Sequence, residues 1–394
     1  MTGTRSNLGA SVMARLLNHA RRTNQDFETL LTSHSFERFL YRLGVSEFRD
    51  RYRSISTVGE RRLKLPADRE RLLGTRLAIG SRTAMHSMPP RPARRRFLGS
   101  LAATVAAQAL PHIATAQSRT PITRAIPGTG ERLPVIGLGT WITFNVAPDV
   151  TNEAPLIPVM QQFFARTGAM IDSSPMYGYS EAVIGDLLKE SSDHGTLFSA
   201  TKIWTPAKAV GRWQFDQSLR LWGVKRFDLV PVHNLVQWEA HLETLKELKA
   251  AGHVRYIGVT TSEGHKHAEM ERALLREQFD FVQFTYNFAD RRVEERLLPL
   301  AAERKLAVVI NRPFDAGNLF STVRGKPLPA YAPEFDCANW AQFFLKFVVS
   351  HPVVTCAIPA TSKAAHIAEN MGALYGRLPD PALRTRMAKD MESL

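Results

Sequence analysis

Ala169-Met170-Ile171-Asp172-Ser173-Ser174-Pro175-Met176-Tyr177-Gly178 is a short apolar run that ends in a carboxylate and breaks into a turn at two serines and a proline. A buried parallel strand reads this way: a few apolar residues with no alternation, then turn chemistry. The same pattern recurs along the chain. Strands are predicted at Val135 to Leu138, Ala169 to Asp172, Leu197 to Thr201, Asp228 to His233, Tyr256 to Thr260, Phe281 to Thr285, Ala307 to Asn311 and Thr355 to Ile358. Amphipathic stretches fill the gaps, most clearly Trp238 to Ala251, Val293 to Arg304 and Asn339 to Val349, with apolar residues at helical spacing. Eight alternations within residues 120–394 predict an α/β fold, a (β/α)8 TIM barrel, whose chemistry belongs at the C-terminal ends of its strands. The turn-rich segment Ile126 to Pro134 ahead of the first strand predicts an N-terminal β-hairpin. A doubly wound sheet is the alternative. It loses its main support because Gly137-Leu138-Gly139 is not followed by the third glycine of a dinucleotide turn, Ile142 standing there instead.

In a barrel the residues that follow successive strands converge on one mouth. After the second strand stand Asp172 and Tyr177, after the third Lys202, and after the fourth His233 and Asn234. A phenol with a reference pKa of about 10 is a poor acid at neutral pH unless a nearby ammonium favours its anion. Lys202 can supply that charge and Asp172 can hold Lys202 in place, while His233 reaches the same oxygen as a hydrogen-bond donor. The set suits protonation of a carbonyl oxygen as hydride arrives at carbon.

These residues resemble the aldo/keto reductases, from about Ile122 to Ala373. The motifs are the entry Leu133-Pro134-Val135-Ile136-Gly137-Leu138-Gly139-Thr140-Trp141, the signature Ile171 to Glu181, the strand ends Thr201-Lys202 and Val232-His233-Asn234, and Ile358-Pro359 through Glu369-Asn370. The resemblance implies a catalytic tetrad of Asp172, Tyr177, Lys202 and His233, with Tyr177 as general acid. It also implies an extended nicotinamide cofactor across the barrel mouth without a Rossmann domain. Cofactor contacts carried over are Thr140, Thr260, Thr261, Gln283, Asn311, Arg312, Ser362, Lys363, His366, Glu369 and Asn370. Three of these depart from the family. Thr261 lacks the usual amide beside the carboxamide, Asn311 replaces the aromatic that stacks on the nicotinamide, and His366 stands where members that prefer NADPH often have Arg. Arg312 can meet the pyrophosphate with its planar fork, and Ser362, Lys363 and His366 lie at a helix start that favours a phosphate. NADP(H) is favoured, with NAD(H) as the alternative. Trp141, Met176, Tyr179, Trp204, Asn234 and the loop Asp315 to Asp336 are the expected walls of a pocket for a small-molecule carbonyl substrate.

Of 394 residues, 44% are hydrophobic and 22% charged, an ordinary globular composition that excludes wholesale disorder, collagen and a disulfide-stapled miniprotein. The formal net charge of +14 is unevenly placed, since residues 1–116 hold 20 Lys+Arg against 8 Asp+Glu and the remainder 31 against 29. The near-neutral body argues against a nucleic-acid partner. Two cysteines, Cys337 and Cys356, are too few for an all-cysteine zinc site, and no metal is expected. Cys356 reads as a core residue; a bridge between the two is open in an oxidising compartment. No run of 18 strongly apolar residues predicts a stable membrane span.

Arg94-Arg95-Arg96-Phe97-Leu98, the Ala-rich segment Gly99 to Leu110 and Ala114-Thr115-Ala116 look like a twin-arginine export signal over residues 88–116. The export machinery would then be a partner and the protein periplasmic or otherwise exported; it would be cytoplasmic if the signal is not used. Residues 1–87 are expected to be disordered or an extension upstream of a true start at Met88 or Met85, and residues 117–394 to form the barrel. Three functional classes follow: an NAD(P)H-dependent oxidoreductase, a cofactor-binding redox sensor or accessory subunit with slow turnover, and a cofactor-free hydrolase or lyase, for which no carboxylate pair or metal cluster is found.

Overall fold

The computed structural model describes residues 120–191 and 194–394; the expectations for residues 1–87 and for the signal at 88–116 lie outside the described residues. A two-stranded antiparallel hairpin comes first, β1 (Thr123–Ala125) with β2 (Arg132–Pro134). Eight parallel strands follow: β3 (Leu138–Gly139), β4 (Met170–Asp172), β5 (Phe198–Ala200), β6 (Phe227–Val232), β7 (Val254–Thr260), β8 (Phe281–Thr285), β9 (Ala307–Asn311) and β10 (Val354–Ala357), each paired with its sequence neighbour. Parallel bridges Ile136–Ala357 and Gly139–Ala360 join the first strand to the last and close the ring. That closure excludes the doubly wound alternative.

Each strand leads into a helix that lies outside the ring: α1 (Ile157–Ala165), α2 (Ser180–Glu190), α3 (Lys208–Trp222), α4 (Trp238–Ala250), α5 (His267–Arg276), α6 (Leu297–Glu303), α7 (Trp340–Val349) and α8 (Ala364–Met371), with α9 (Pro381–Glu392) at the C-terminus. The apolar residues form two bodies. One fills the barrel interior with Met170, Phe198, Leu229, Tyr256, Phe281, Val309 and Cys356, capped from below by Ile126 and Leu133 of the hairpin segment. The other lies between strands and helices and is far larger. A filled lower barrel directs the chemistry to the upper mouth.

Two details of the sequence find a physical cause. A Cβ on Gly137 would lie 2.8 Å from Met170 O and one on Gly139 2.6 Å from Ile358 O, so the Gly-Leu-Gly spacing serves the closing seam between β3 and its neighbours. The helix expected from Val293 to Arg304 is instead a 3-10 turn at Arg292–Glu294 followed by α6. Pro299 has no N–H and its ring crowds the carbonyl four residues back, so the helix begins just ahead of it. The loop expected at Asp315 to Asp336 contains a short helix at Asn318–Thr322 and a 3-10 turn at Ala332–Phe335. Among the described residues no helix is long and apolar enough to cross a membrane, and no group of three or more His, Cys, Asp or Glu side chains is placed to hold a metal ion.

Candidate functional site

Asp172 ends β4, and Lys202 stands two residues beyond β5, the neighbouring strand. Both are buried, at 2% and 1% exposure. Lys202 Nζ donates to Asp172 Oδ2 at 2.6 Å and to Ser173 O at 2.8 Å. Burial lowers the Lys202 pKa, and the Asp172 carboxylate opposes that shift. A buried ammonium survives only with such a partner. Asp172 Oδ1 accepts from Gln283 Nε2 at 3.2 Å, so β8 enters the same network.

The turn after β4 sets the phenol. Ser174 caps the 3-10 turn Pro175–Tyr177 by accepting from the Met176 N–H at 3.2 Å. Gly178 follows at φ +66°, and a Cβ there would strike the Asn145 amide at 2.3 Å, which itself accepts from the Tyr179 N–H at 3.0 Å. Tyr177 is thereby turned toward the mouth, with Lys202 Nζ 5.3 Å from its ring centroid and the His233 ring 5.7 Å away, edge to face. His233 Nδ1 lies 2.9 Å from Ser174 Oγ. Burial first and the Lys202 charge second push the imidazole pKa well below its ordinary value of 6.5. The four residues expected to act together do meet in space.

The residues expected to hold a cofactor divide into two groups. Around the ends of β7 to β9 the polar side chains are bonded to one another. Asn311 accepts from Thr285 Oγ1 at 2.7 Å and donates to Thr261 O at 2.9 Å, Thr261 Oγ1 donates to His265 O at 2.5 Å, and Thr260 Oγ1 accepts from the Asn234 N–H at 3.0 Å. Arg312 pairs with Glu263 at 2.7 Å, and its guanidinium lies 5.6 Å from the Trp141 ring centroid. Thr140 is buried and donates to Asp172 O at 2.9 Å, which supports the strand end. The second group surrounds the start of α8. Ser362, Lys363, His366 and Glu369 are exposed, and Lys363, the residue before the helix, makes no side-chain cap. Asn370 differs from them, being buried at 2% exposure.

Of the expected pocket walls, Trp141, Met176, Trp204 and Asn234 are half-buried and Tyr179 is 41% exposed. Trp204 is fixed by two backbone bonds with the Gln214 side chain, at 2.9 and 2.6 Å. Sequence reasoning singled out the tetrad but gave no role to Ser174, Asn145, Glu181 or Glu263. Glu181 is 3% exposed and accepts from Thr201 at 2.6 Å, Ser218 at 3.0 Å and Trp222 at 3.1 Å, which ties α2 to β5 and α3 beside Lys202. A buried glutamate four residues after Tyr177 was a readable signal; the Glu263–Arg312 pair, 49 positions apart, was not.

The chain resembles known proteins in sequence and in fold. The chain is 27% identical over 242 residues to aldo-keto reductase YhdN of Bacillus subtilis (strain 168), covering 56% of this chain and 72% of that protein. It is 25% identical to the NADH-specific methylglyoxal reductase of Escherichia coli (strain K12), covering 50% and 68%. Among solved structures, an aldo/keto reductase from Klebsiella pneumoniae in complex with NADP and acetate superposes with a TM-score of 0.57 at 24% identity, covering 67% of this chain and 93% of that one. At that identity the likeness bears on the fold. Residues 135–385, more than half of the chain and the whole span of the eight strands, match the aldo/keto reductase family, and the chain therefore belongs to that family.

Proposed function

We propose that the chain is an NAD(P)H-dependent oxidoreductase that reduces aldehydes or ketones to alcohols, or runs the reverse reaction, with Tyr177 as general acid. One observation carries the reading: a buried ammonium, Lys202, is paired with Asp172 at 2.6 Å and stands 5.3 Å from the Tyr177 ring beside His233. Lys202 favours the phenolate that Tyr177 becomes on giving up its proton, and Asp172 keeps Lys202 charged and oriented. Ser174 already accepts from the Met176 N–H, so donating its own proton to His233 Nδ1 uses both functions of the hydroxyl. The neutral imidazole then carries its proton on Nε2, as a donor to the carbonyl oxygen that Tyr177 protonates.

The residues present fit a nicotinamide dinucleotide at its charged end. Arg312 and Lys363 supply cations and Ser362 a hydroxyl, and the first turn of α8 has N–H groups without a side-chain cap. Such a cofactor, when bound, supplies the hydride. Gln283 is buried at 4% exposure with its amide on Asp172, which supports its reading as a residue of the nicotinamide side. NADP(H) is the proposed cofactor, supported by Ser362, Lys363 and His366 around the α8 start and by the NADP named in the Klebsiella pneumoniae complex; the Escherichia coli relative, named as NADH-specific, keeps NAD(H) as the alternative. Asn311 supports a second reading, a cofactor-binding sensor with slow turnover, because a small amide bonded to Thr285 and Thr261 replaces a stacking ring. We also propose, from the sequence of residues 88–116 alone, that the folded protein is exported with its cofactor on board.

Titration of the full chain with NADPH and NADH by cofactor fluorescence, followed by a panel of aromatic aldehydes, tests the reading. Binding with aldehyde-dependent oxidation is expected. Binding without turnover favours the sensor, and no binding refutes both. Tyr177→Phe is expected to lower kcat by roughly 10²- to 10⁴-fold with cofactor Kd changed less than about twofold, since it removes a proton donor and no anion contact. Equal losses in kcat and in binding would contradict the assigned role.

A further inference from the structure

Glu263, Arg312 and Trp141 lie on three separate loops at the upper end of the barrel. Glu263 follows β7 by three residues, Arg312 follows β9 by one and Trp141 follows β3 by two. With eight strands in sequence order around the ring, β3 and β7 are four steps apart in either direction and stand opposite each other. Arg312 reaches both, Glu263 at 2.7 Å and the Trp141 ring at 5.6 Å from its centroid. The three side chains thus cross the full mouth, on the same face as Asp172, Tyr177, Lys202 and His233.

The pair is held in a conformation that side chains of this kind rarely adopt. Glu263 has φ +56° and Arg312 φ +51°, both in the left-handed region, where long residues persist only when their surroundings impose it. The surroundings do. Thr285 Oγ1 accepts from the Glu263 N–H at 2.9 Å and donates to Asn311 Oδ1 at 2.7 Å, and the Asn287 amide donates to Arg312 O at 2.9 Å. Asn311, which costs the mouth an aromatic ring, is a member of the scaffold that builds the bridge.

Yet the bridge itself is open to exchange. Glu263 Oε1 lies 2.7 Å from Arg312 Nη1, the other carboxylate oxygen lies 3.7 Å from His265 Nε2, and the Glu263 side chain is 38% exposed. An ion pair at that exposure is weak, whereas a guanidinium binds a phosphate or carboxylate best through two parallel hydrogen bonds. The Trp141 face keeps the guanidinium in place while its edge changes partner.

We propose that Arg312 is the oxyanion receptor of the mouth and that Glu263 is its resident competitor, displaced when a phosphate or carboxylate group of a ligand takes the guanidinium edge. The assignment of the mouth as the ligand site rests on the function proposed above; the exchange does not require turnover. Two ligands carry this chemistry, a dinucleotide through its pyrophosphate and a substrate through a carboxylate.

The test uses the full chain and Glu263→Gln, Arg312→Gln and the double variant, each checked for native circular dichroism. Inorganic pyrophosphate and NADPH are titrated by calorimetry, and KM is measured for benzaldehyde and 4-carboxybenzaldehyde. Removing the competitor is expected to tighten the oxyanion ligand roughly threefold to tenfold, with the gain absent in the double variant. Tighter pyrophosphate and NADPH with an unchanged KM ratio assigns the receptor to the dinucleotide. A KM ratio shifted toward the carboxylated aldehyde with NADPH unchanged assigns it to the substrate. Tighter pyrophosphate in a protein that oxidises no cofactor keeps the receptor and sinks the oxidoreductase reading. Unchanged affinity for pyrophosphate, NADPH and the carboxylated aldehyde in folded Glu263→Gln overturns the proposal.

Discussion

Glu181 shows how a single buried carboxyl can be placed without a counter-ion of its own. Burial raises its pKa, and hydrogen bonds from Thr201, Ser218 and Trp222 oppose the rise, followed by the charge of Lys202. A carboxamide fills the same space, accepts from Thr201 and Trp222 and donates to the Ser218 hydroxyl. Glu181→Gln is therefore expected to cost less than about 1 kcal/mol of stability, while Glu181→Ala strands three buried polar groups and costs about 3 kcal/mol or more. Urea unfolding of both variants measures the difference, and a Gln variant as unstable as the Ala variant would show that the negative charge itself is required. Lys202→Met poses the complementary question one residue beyond Thr201. It leaves the Asp172 carboxylate buried without its ammonium, though still accepting from Gln283 Nε2, so a loss of about 3–5 kcal/mol is expected together with loss of turnover at every pH. Turnover retained in that variant would remove the ammonium from the proposed proton transfer.

At the level of elements the decisive contacts are close approaches rather than charges. A Cβ on Gly185 in the middle of α2 would sit 1.8 Å from Leu221 O of α3, so these two helices pack through bare backbone. Gly185→Ala is expected to destabilise the protein by more than about 3 kcal/mol despite the better helix propensity of alanine, because the helices must move apart. A chemical-denaturation midpoint equal to that of the parent chain would contradict this packing. The cap of α7 is a milder case. Asn339 accepts from the Gln342 N–H at 2.9 Å, and Asn339→Ala is expected to cost about 1 kcal/mol in the same measurement. Elements of this kind were legible in the sequence wherever a local signal existed: eight apolar runs gave the strands to within a few residues, and Asn339 marked its helix. Pro299 was equally visible, and the helical spacing of the apolar residues around it masks the break it imposes ahead of α6. The tetrad was legible because barrel topology converts sequence order into proximity. Contacts between loops, such as Trp141 with Arg312, depend on side-chain reach across the mouth, and no periodicity encodes that.

For the molecule as a whole, buried imidazoles set the expected response to acid. Burial lowers the pKa of His233, His241, His267 and His351, the last to about 4 from 6.5. A histidine whose folded pKa lies below its unfolded one is protonated first in the unfolded chain. Its contribution is whole above pH 6.5 and is lost progressively as the pH falls from there toward the folded value. Glu181 and Glu153, whose pKa values burial raises from 4.5, act in the opposite sense: they take up protons first when folded and regain stability as the pH falls toward 4.5. The imidazole loss is expected to exceed the carboxyl gain, because the His351 window alone runs from pH 6.5 to about 4. The melting temperature is thus expected to decline between pH 6.5 and 4, and Asp290 and Asp336, whose pKa values Arg292 and Arg377 lower, extend the decline below 4. His351→Asn should flatten the slope between pH 6.5 and 4 while leaving the tetrad intact, since His351 packs against Tyr286, away from the mouth. Thermal melts at half-unit steps from pH 7.5 to 4 decide the matter: a flat profile, or a slope that His351→Asn leaves unchanged, would show that these imidazoles do not carry the acid response. The same sign applies to catalysis, because burial and the Lys202 charge favour the neutral form of His233. The acid limb of kcat/KM for carbonyl reduction is therefore expected well below pH 6.5, and a limb at 6.5 or above would mean that His233 titrates as an ordinary exposed imidazole.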